Sequence, residues 1–175
     1  MTGKVRIASG AVATIAAKAA ASSDGFETGG ILLGFEASWL GEVLVLEAGG
    51  PGPNAERRRD FFCRDLGHAQ RLANDAFLRT TARWIGEWHT HPYGPLAPSR
   101  KDLRTYRRFL RDPELGFKSF IAVIVGSNDG EWKKPRAAAW LIGLRRVLPA
   151  LLLPGLDRLD IVLENSPIDG RDDDR

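Results

Sequence analysis

Seven residues from Ser119 to Val125 read SFIAVIV, an uncharged run rich in β-branched and aromatic side chains. A run this short and apolar has no amphipathic stripe, so it belongs in a strand covered on both faces. The rest of the chain supplies the covering layers. Further short strands are expected at 5–8, 29–35, 42–48, 60–63, 84–91 and 137–145, with an edge strand at 159–163. Residues 65–80 put Leu66, Ala69, Leu72, Ala73, Ala76 and Phe77 on one helical face. Ser9 reads as the N-cap of an Ala-rich helix ending near Ser22, and Ser99 as the N-cap of a helix ending near Arg111. The stretches 49–54 (GGPGPN) and 92–98, with three prolines and a glycine, are loops by composition. Helices alternate with strands, yet some strands follow each other directly. This pattern predicts an α/β fold with a mixed β-sheet flanked by helices.

At 175 residues the chain is about one domain long. No repeat or linker interrupts it. The domain is expected over 1–164, with a polar, disordered tail over 165–175. Lys plus Arg is 25 and Asp plus Glu is 22, a net charge of +3 that argues weakly for any nucleic-acid role. Cys63 is the only cysteine, which excludes an internal disulfide and fits a reducing compartment. The start, MTGKVRIASG, has no signal-peptide character. The apolar stretch 11–21 is broken by Lys18, and 147–156 carries Pro149 and Pro154; both are too short to span a bilayer. A cytoplasmic protein with no membrane role is the expectation.

His89 and His91 sit two residues apart on a predicted strand. Strand side chains alternate, so both point to one face with Cα atoms about 6.6 Å apart. Two imidazoles at that separation can converge on one cation. Ser99 and Asp102, three apart at the start of the next helix, share a face there. A carboxylate and two imidazoles form a zinc triad that leaves a position open for water. Each piece also has a plainer reading. An H-x-H pair is often a core or surface pair, Ser99 is an N-cap, and Asp102 is a first-turn acid favoured by the helix dipole. The full spacing H-x-H-x7-S-x2-D is much more specific.

His89-Thr-His91-Pro followed by Ser99-Arg-Lys-Asp102 resembles the JAMM signature of the JAB/MPN family of zinc metallopeptidases. Glu27-Thr-Gly-Gly-Ile-Leu-Leu-Gly34 matches the upstream glutamate and glycine-rich apolar strand of that family. The resemblance runs over about residues 5–144. It implies a JAB/MPN (cytidine-deaminase-like) architecture with one Zn2+ per chain, held by His89, His91 and Asp102. It implies that Glu27 is the general acid/base and that Ser99 stabilises the oxyanion. Zinc lowers the pKa of bound water from 15.7 to about 7. A positioned carboxylate is worth about 10²–10⁴-fold, and an oxyanion donor about 3–4 kcal/mol. Periodicity alone would choose Glu87, two residues before His89 on the same strand face, as base or extra ligand. The resemblance favours Glu27 and leaves Glu87 to pair with a nearby arginine.

The implied activity is that of a peptidase or isopeptidase cutting after the C-terminus of a ubiquitin-like or C-terminally conjugated protein. GEWHTHP looks like the stand-alone prokaryotic branch, whose members accompany E1-like and E2-like enzymes, some of them in antiphage systems. Trimming of sulfur-carrier tails is the enzymatic alternative. A non-catalytic MPN scaffold and a small-molecule hydrolase are alternatives of other kinds. Arg100, Arg104, Arg107, Arg108 and Arg111 make a basic helix face opposite Leu103, Tyr106 and Leu110. That face is either simply solvated or a dock for an acidic protein, which Arg57, Arg58 and Arg59 would extend. His68 reads as a surface histidine and Cys63 as a small buried hydrophobe. Trp39, Trp84, Trp88, Trp132 and Trp140 read as core or rim, with Trp88 facing away from the histidines.

Overall fold

The computed structural model describes residues 3–22, 24–37, 42–128, 131–148 and 151–164. Trp39 and the expected tail lie outside them. In chain order the elements are β1 (Lys4–Ala8), α1 (Ser9–Ala20), β2 (Gly29–Ala37), β3 (Glu42–Ala48), β4 (Glu56–Arg58) and β5 (Phe61–Cys63). After these come α2 (Leu66–Thr80), β6 (Arg83–Thr90), α3 (Arg100–Arg111), β7 (Ser119–Asn128), β8 (Glu131–Leu148) and β9 (Leu151–Glu164).

Seven strands form one sheet in the order β1-β3-β2-β6-β7-β8-β9, and β9 returns to pair with β1. The sheet is mixed, as expected: β1 runs parallel to β3 and β9, β6 runs parallel to β7, and the other pairings are antiparallel. It is also closed, which corrects the edge strand expected at 159–163. Leu159 pairs with Ala139 on one side, and Asp160 with Lys4 on the other. Closure removes exposed strand edges. The pairing of β9 continues through Pro154 and Gly155, upstream of the strand expected at 159–163. Strands β4 and β5 form a separate two-stranded ribbon; the expectations had missed β4.

The run SFIAVIV is buried on both faces, and its alternation divides the core. Ile121, Val123 and Val125 pack with Ala11, Ile15 and Ala19 of α1 and with Trp88. Phe120, Ala122 and Ile124 pack with Tyr106 and Leu110 of α3. Ala69 and Ala76 of α2 cover Ile31 and Leu33 of β2. Among the described residues three helices thus cover the sheet; in α2 the covering stripe is Ala69, Leu72, Ala73 and Ala76, whereas Leu66 and Phe77, expected on the same face, are exposed.

Two local expectations need correction. Ser9 is the first helical residue of α1 rather than its cap; Ala8 holds the cap position with no side-chain bond, because β1 runs straight into the helix. Cys63 is exposed, because the β4–β5 ribbon has no further strand beside it to bury its last residue. Asp65 caps α2 by accepting from the His68 backbone N–H at 3.0 Å, and His68 itself is half-buried. Among the described residues no helix is long and apolar enough to cross a membrane.

Candidate functional site

Strand β6 sorts its residues by alternation. Trp88 turns into the core, fully buried, and its indole Nε1 donates to the Gly49 carbonyl at 2.8 Å. Glu87 and His89 turn to the other face, both buried. His91 lies one residue past the strand end. Its backbone N–H donates to the Val125 carbonyl at 2.8 Å, which keeps it extended on the same face as His89. The following proline-rich loop is pinned from both sides. Ser127 Oγ donates to the Pro92 carbonyl at 3.1 Å, and Trp140 Nε1 to the Leu96 carbonyl at 2.9 Å. The loop delivers the start of α3 to the histidines.

That start is a complete capping box. The Ser99 hydroxyl accepts from the Asp102 backbone N–H at 3.2 Å, and the Ser99 N–H donates to Asp102 Oδ2 at 2.6 Å. The box fixes the Asp102 carboxylate over the imidazoles. His89 Nε2 and His91 Nε2 are 3.0 Å apart. Asp102 Oδ2 lies 3.6 Å from His89 Nε2 and 3.7 Å from His91 Nε2.

These spacings test whether a cation fits. A tetrahedral centre with bonds of 2.0–2.1 Å holds its donor atoms about 3.3 Å apart. The three observed separations bracket that figure. His91 Nδ1–H donates to the Pro95 carbonyl at 2.8 Å, so in the neutral ring the Nε2 lone pair faces the centre. Burial works against ionised Asp102, but the facing imidazoles of His89 and His91 outweigh it and hold the carboxyl well below its usual range. Burial likewise opposes a charge on His91, yet Asp102 and the Pro95 carbonyl raise it overall. The site therefore favours positive charge at its centre, and its donors are those that zinc takes.

Glu27 enters from the segment just before β2. Its backbone N–H donates to the Arg58 carbonyl at 2.8 Å, and its carbonyl accepts from Arg57 Nε at 3.1 Å. Thr28 and Thr90 bond reciprocally: the Thr28 N–H donates to Thr90 Oγ1 at 2.9 Å, and the Thr90 N–H to the Thr28 carbonyl at 2.7 Å. Gly29 then pairs with His89. A Cβ on Gly29 would lie 2.3 Å from the Trp88 carbonyl oxygen, so only glycine permits this approach. Glu27 shares a cleft of about 360 Å³ with Asp102, Arg64, Glu87, Lys101 and Cys63. Burial raises the Glu27 carboxyl, with Asp102 and Asp60 adding to the rise; the charges of His89 and His91 offset part of it. A carboxyl pushed toward neutrality beside a polar cluster suits a group that takes and returns a proton.

Glu87 is on the predicted face but is already engaged. It binds Arg64 through Nη2–Oε2, and its other oxygen lies 3.7 Å from His89 Nδ1. Sequence reasoning left the arginine unnamed; Arg64 precedes the α2 cap, and nothing in its local pattern marks it. The Arg64 guanidinium also lies 5.1 Å from the Trp84 ring centroid. The Arg64 and Glu87 side chains are only 12% and 10% exposed. Removing one partner of such a pair leaves the other charge buried. Arg64→Met is expected to lower unfolding stability by about 3–5 kcal/mol, read as an earlier urea midpoint with an unchanged slope.

The family described as prokaryotic homologs of the JAB domain matches residues 9–142. A relative from Vibrio cholerae serotype O1, named CD-NTase/cGAS isopeptidase, is 33% identical over 105 residues, 59% of this chain and 64% of its own. A relative of the same name from Enterobacter hormaechei subsp. hoffmannii is 28% identical over 102 residues, 58% of this chain and 56% of its own. The chain thus spans less than two thirds of the length of either relative. A solution structure of a Desulfitobacterium hafniense protein superposes with a TM-score of 0.63 at 20% identity, covering 93% of this chain and 94% of that one. That likeness speaks for the fold alone.

Proposed function

Because the chain belongs to the prokaryotic JAB-domain family, we propose that it is a zinc-dependent isopeptidase that releases a protein conjugated through its C-terminus. The observation that carries this reading is the convergence of His89, His91 and Asp102 donor atoms within 4.8 Å of one another, with Glu27 in the adjoining cleft. A complete donor set beside a proton-handling carboxyl supports catalysis over a scaffold role. The relatives' names, CD-NTase/cGAS isopeptidase, favour deconjugation over trimming of sulfur-carrier tails. They point to a substrate of the nucleotidyltransferase kind, and the family resemblance adds an antiphage setting with E1-like and E2-like partners to the proposal. The lone Cys63 fits a cytoplasmic setting.

His89, His91 and Asp102 would hold the zinc. When bound, it would supply Lewis acidity and lower the pKa of a water to about 7. Glu27 takes the proton of the attacking water and passes it to the leaving amine of the scissile bond. Burial raises its proton affinity, which favours the first transfer. Ser99 Oγ accepts from the Asp102 N–H, and its O–H, which also reaches the Asp102 carboxyl, would turn to the oxyanion that develops on the substrate carbonyl. Glu87, held by Arg64, braces the far side of His89.

The test is cleavage of a nucleotidyltransferase joined through its C-terminus to a lysine of a reporter protein. Release of the intact C-terminus, lost with a zinc chelator and restored by added zinc, is the expected result. Absence of cleavage, or cleavage indifferent to the chelator, would contradict the reading.

A further inference from the structure

The cleft that holds Glu27 and Asp102 does not end at the triad. Arg108 lines both this cleft and a second, surface depression of about 560 Å³ beside α3. Arg104, Arg107, Arg108, Arg111, Asp112 and Pro113 line that depression. Helix α3 carries six basic residues and one acid, and the acid is Asp102, turned toward the histidines. Positions 100, 104, 108 and 111 recur at three or four residues and so form a stripe down one side of the helix. At 1.5 Å per residue the stripe is about 16 Å long.

Arg100, Arg104 and Arg108 are exposed, and none pairs with a carboxylate among the described residues. Arg107 Nε is buried and finds no hydrogen-bond partner among them. Near the triad, Lys101 Nζ donates to the Asp60 carbonyl at 3.4 Å and sits 4.2 Å from the Phe61 ring centroid. The β4–β5 ribbon, with exposed Arg59 beside Asp60, thus borders the same end of the stripe. Like charges one helical turn apart repel, so this face carries a cost that a ligand of opposite sign would relieve.

We propose that the α3 stripe docks an acidic segment of the protein to be cleaved, laid along the helix from Arg111 toward Arg100 so that its scissile end enters the cleft beside Asp102. The proposal deepens the isopeptidase reading and rests on it. An extended segment of about five residues spans the stripe. Its alternate carboxylates, about 6.6 Å apart, come near the spacing of arginines one turn apart. The face is a poor match for single-stranded nucleic acid, which needs an exposed stacking platform. The aromatic residues of α3 are turned inward: Tyr106 is buried, and Phe109 packs in the cluster beneath the helix.

The probes are three labelled ligands: a ten-residue polyglutamate, a Gly-Ser peptide of equal length and a ten-nucleotide single strand. Binding is followed by anisotropy at low and at high salt. The wild type is expected to bind polyglutamate at least about tenfold more tightly than the neutral peptide, with the advantage lost at high salt. Arg104→Glu/Arg108→Glu should lose at least about tenfold in that affinity with an unchanged circular dichroism spectrum, whereas Arg104→Lys should keep most of it. Arg104→Glu should also raise KM for the protein conjugate while leaving kcat on a short junction peptide intact. Equal affinity for the two peptides, tighter binding of the oligonucleotide, or charge reversal without effect would overturn the proposal. Conjugate cleavage without polyglutamate binding would sink the docking surface alone. Polyglutamate binding by a protein that cleaves no conjugate would sink the isopeptidase reading, and with it the substrate role of the stripe, leaving only its affinity for acidic peptides.

Discussion

Glu27→Gln is expected to slow cleavage by about 10²–10⁴-fold while leaving zinc content and thermal stability near wild type. The amide keeps the size of the side chain and loses only its ability to take and return a proton. Glu27 is held by backbone bonds to Arg57 and Arg58 and is not among the three converging donors, so neither fold nor metal content depends on its charge. Glu87→Gln is the paired control. Glu87 lies closer in sequence to the histidines, but its carboxylate is engaged by Arg64. That variant should be less stable yet retain most of its activity at a temperature where it is folded. Steady-state rates and zinc analysis on both variants distinguish the assignments. Full activity in Glu27→Gln with a dead, folded Glu87→Gln would move the base to Glu87.

Asp102→Ala should have a still larger effect, lowering cleavage by more than about 10³-fold. On the proposed reading it removes one of three metal donors, and water without a cation has a pKa of 15.7 rather than about 7. It also removes half of the α3 capping box, because Asp102 Oδ2 accepts from the Ser99 N–H. The structural cost should be about 1 kcal/mol, too small to unfold the chain. Activity and stability should therefore separate: a nearly normal melting curve with cleavage at background. Asp102→Asn keeps the shape of the box and should still lose cleavage. A variant that cleaves at a tenth of the wild-type rate or better would mean that Asp102 is only a helix cap.

The His–His–Asp cluster was legible because its geometry is local. Strand alternation sets His89 and His91 on one face, and a serine cap followed by Asp102 opens the next helix within the same short stretch. Glu27 was not legible by local pattern. It stands 62 positions before His89, and it arrives through the register Gly29↔His89 and the Thr28–Thr90 clasp, which no periodicity reveals. Only its resemblance to a family pattern pointed to it. Arg64 escaped for the same reason, since its partner lies across the fold.

The covered strand at Ser119–Val125 was legible because seven uncharged residues exclude a half-exposed position. Closure of the sheet was not. It depends on β9 returning to β1, a pairing between the two ends of the described chain. Pro154 and Gly155 masked the length of that strand. Ser9 and Cys63 show the limit of residue-type rules. A serine before a helix is no cap when a strand runs directly into it, and a cysteine beside two phenylalanines is exposed when its ribbon has no neighbour.

The most direct measurement is the zinc content of purified wild-type protein and of His89→Ala/His91→Ala, after exposure to excess zinc and exhaustive dialysis. About one zinc per chain in the wild type, and almost none in a variant that keeps its circular dichroism spectrum, is the predicted result. Well-folded wild-type protein that holds no zinc, or a double variant that holds as much as wild type, would contradict the account of this cluster as a metal centre.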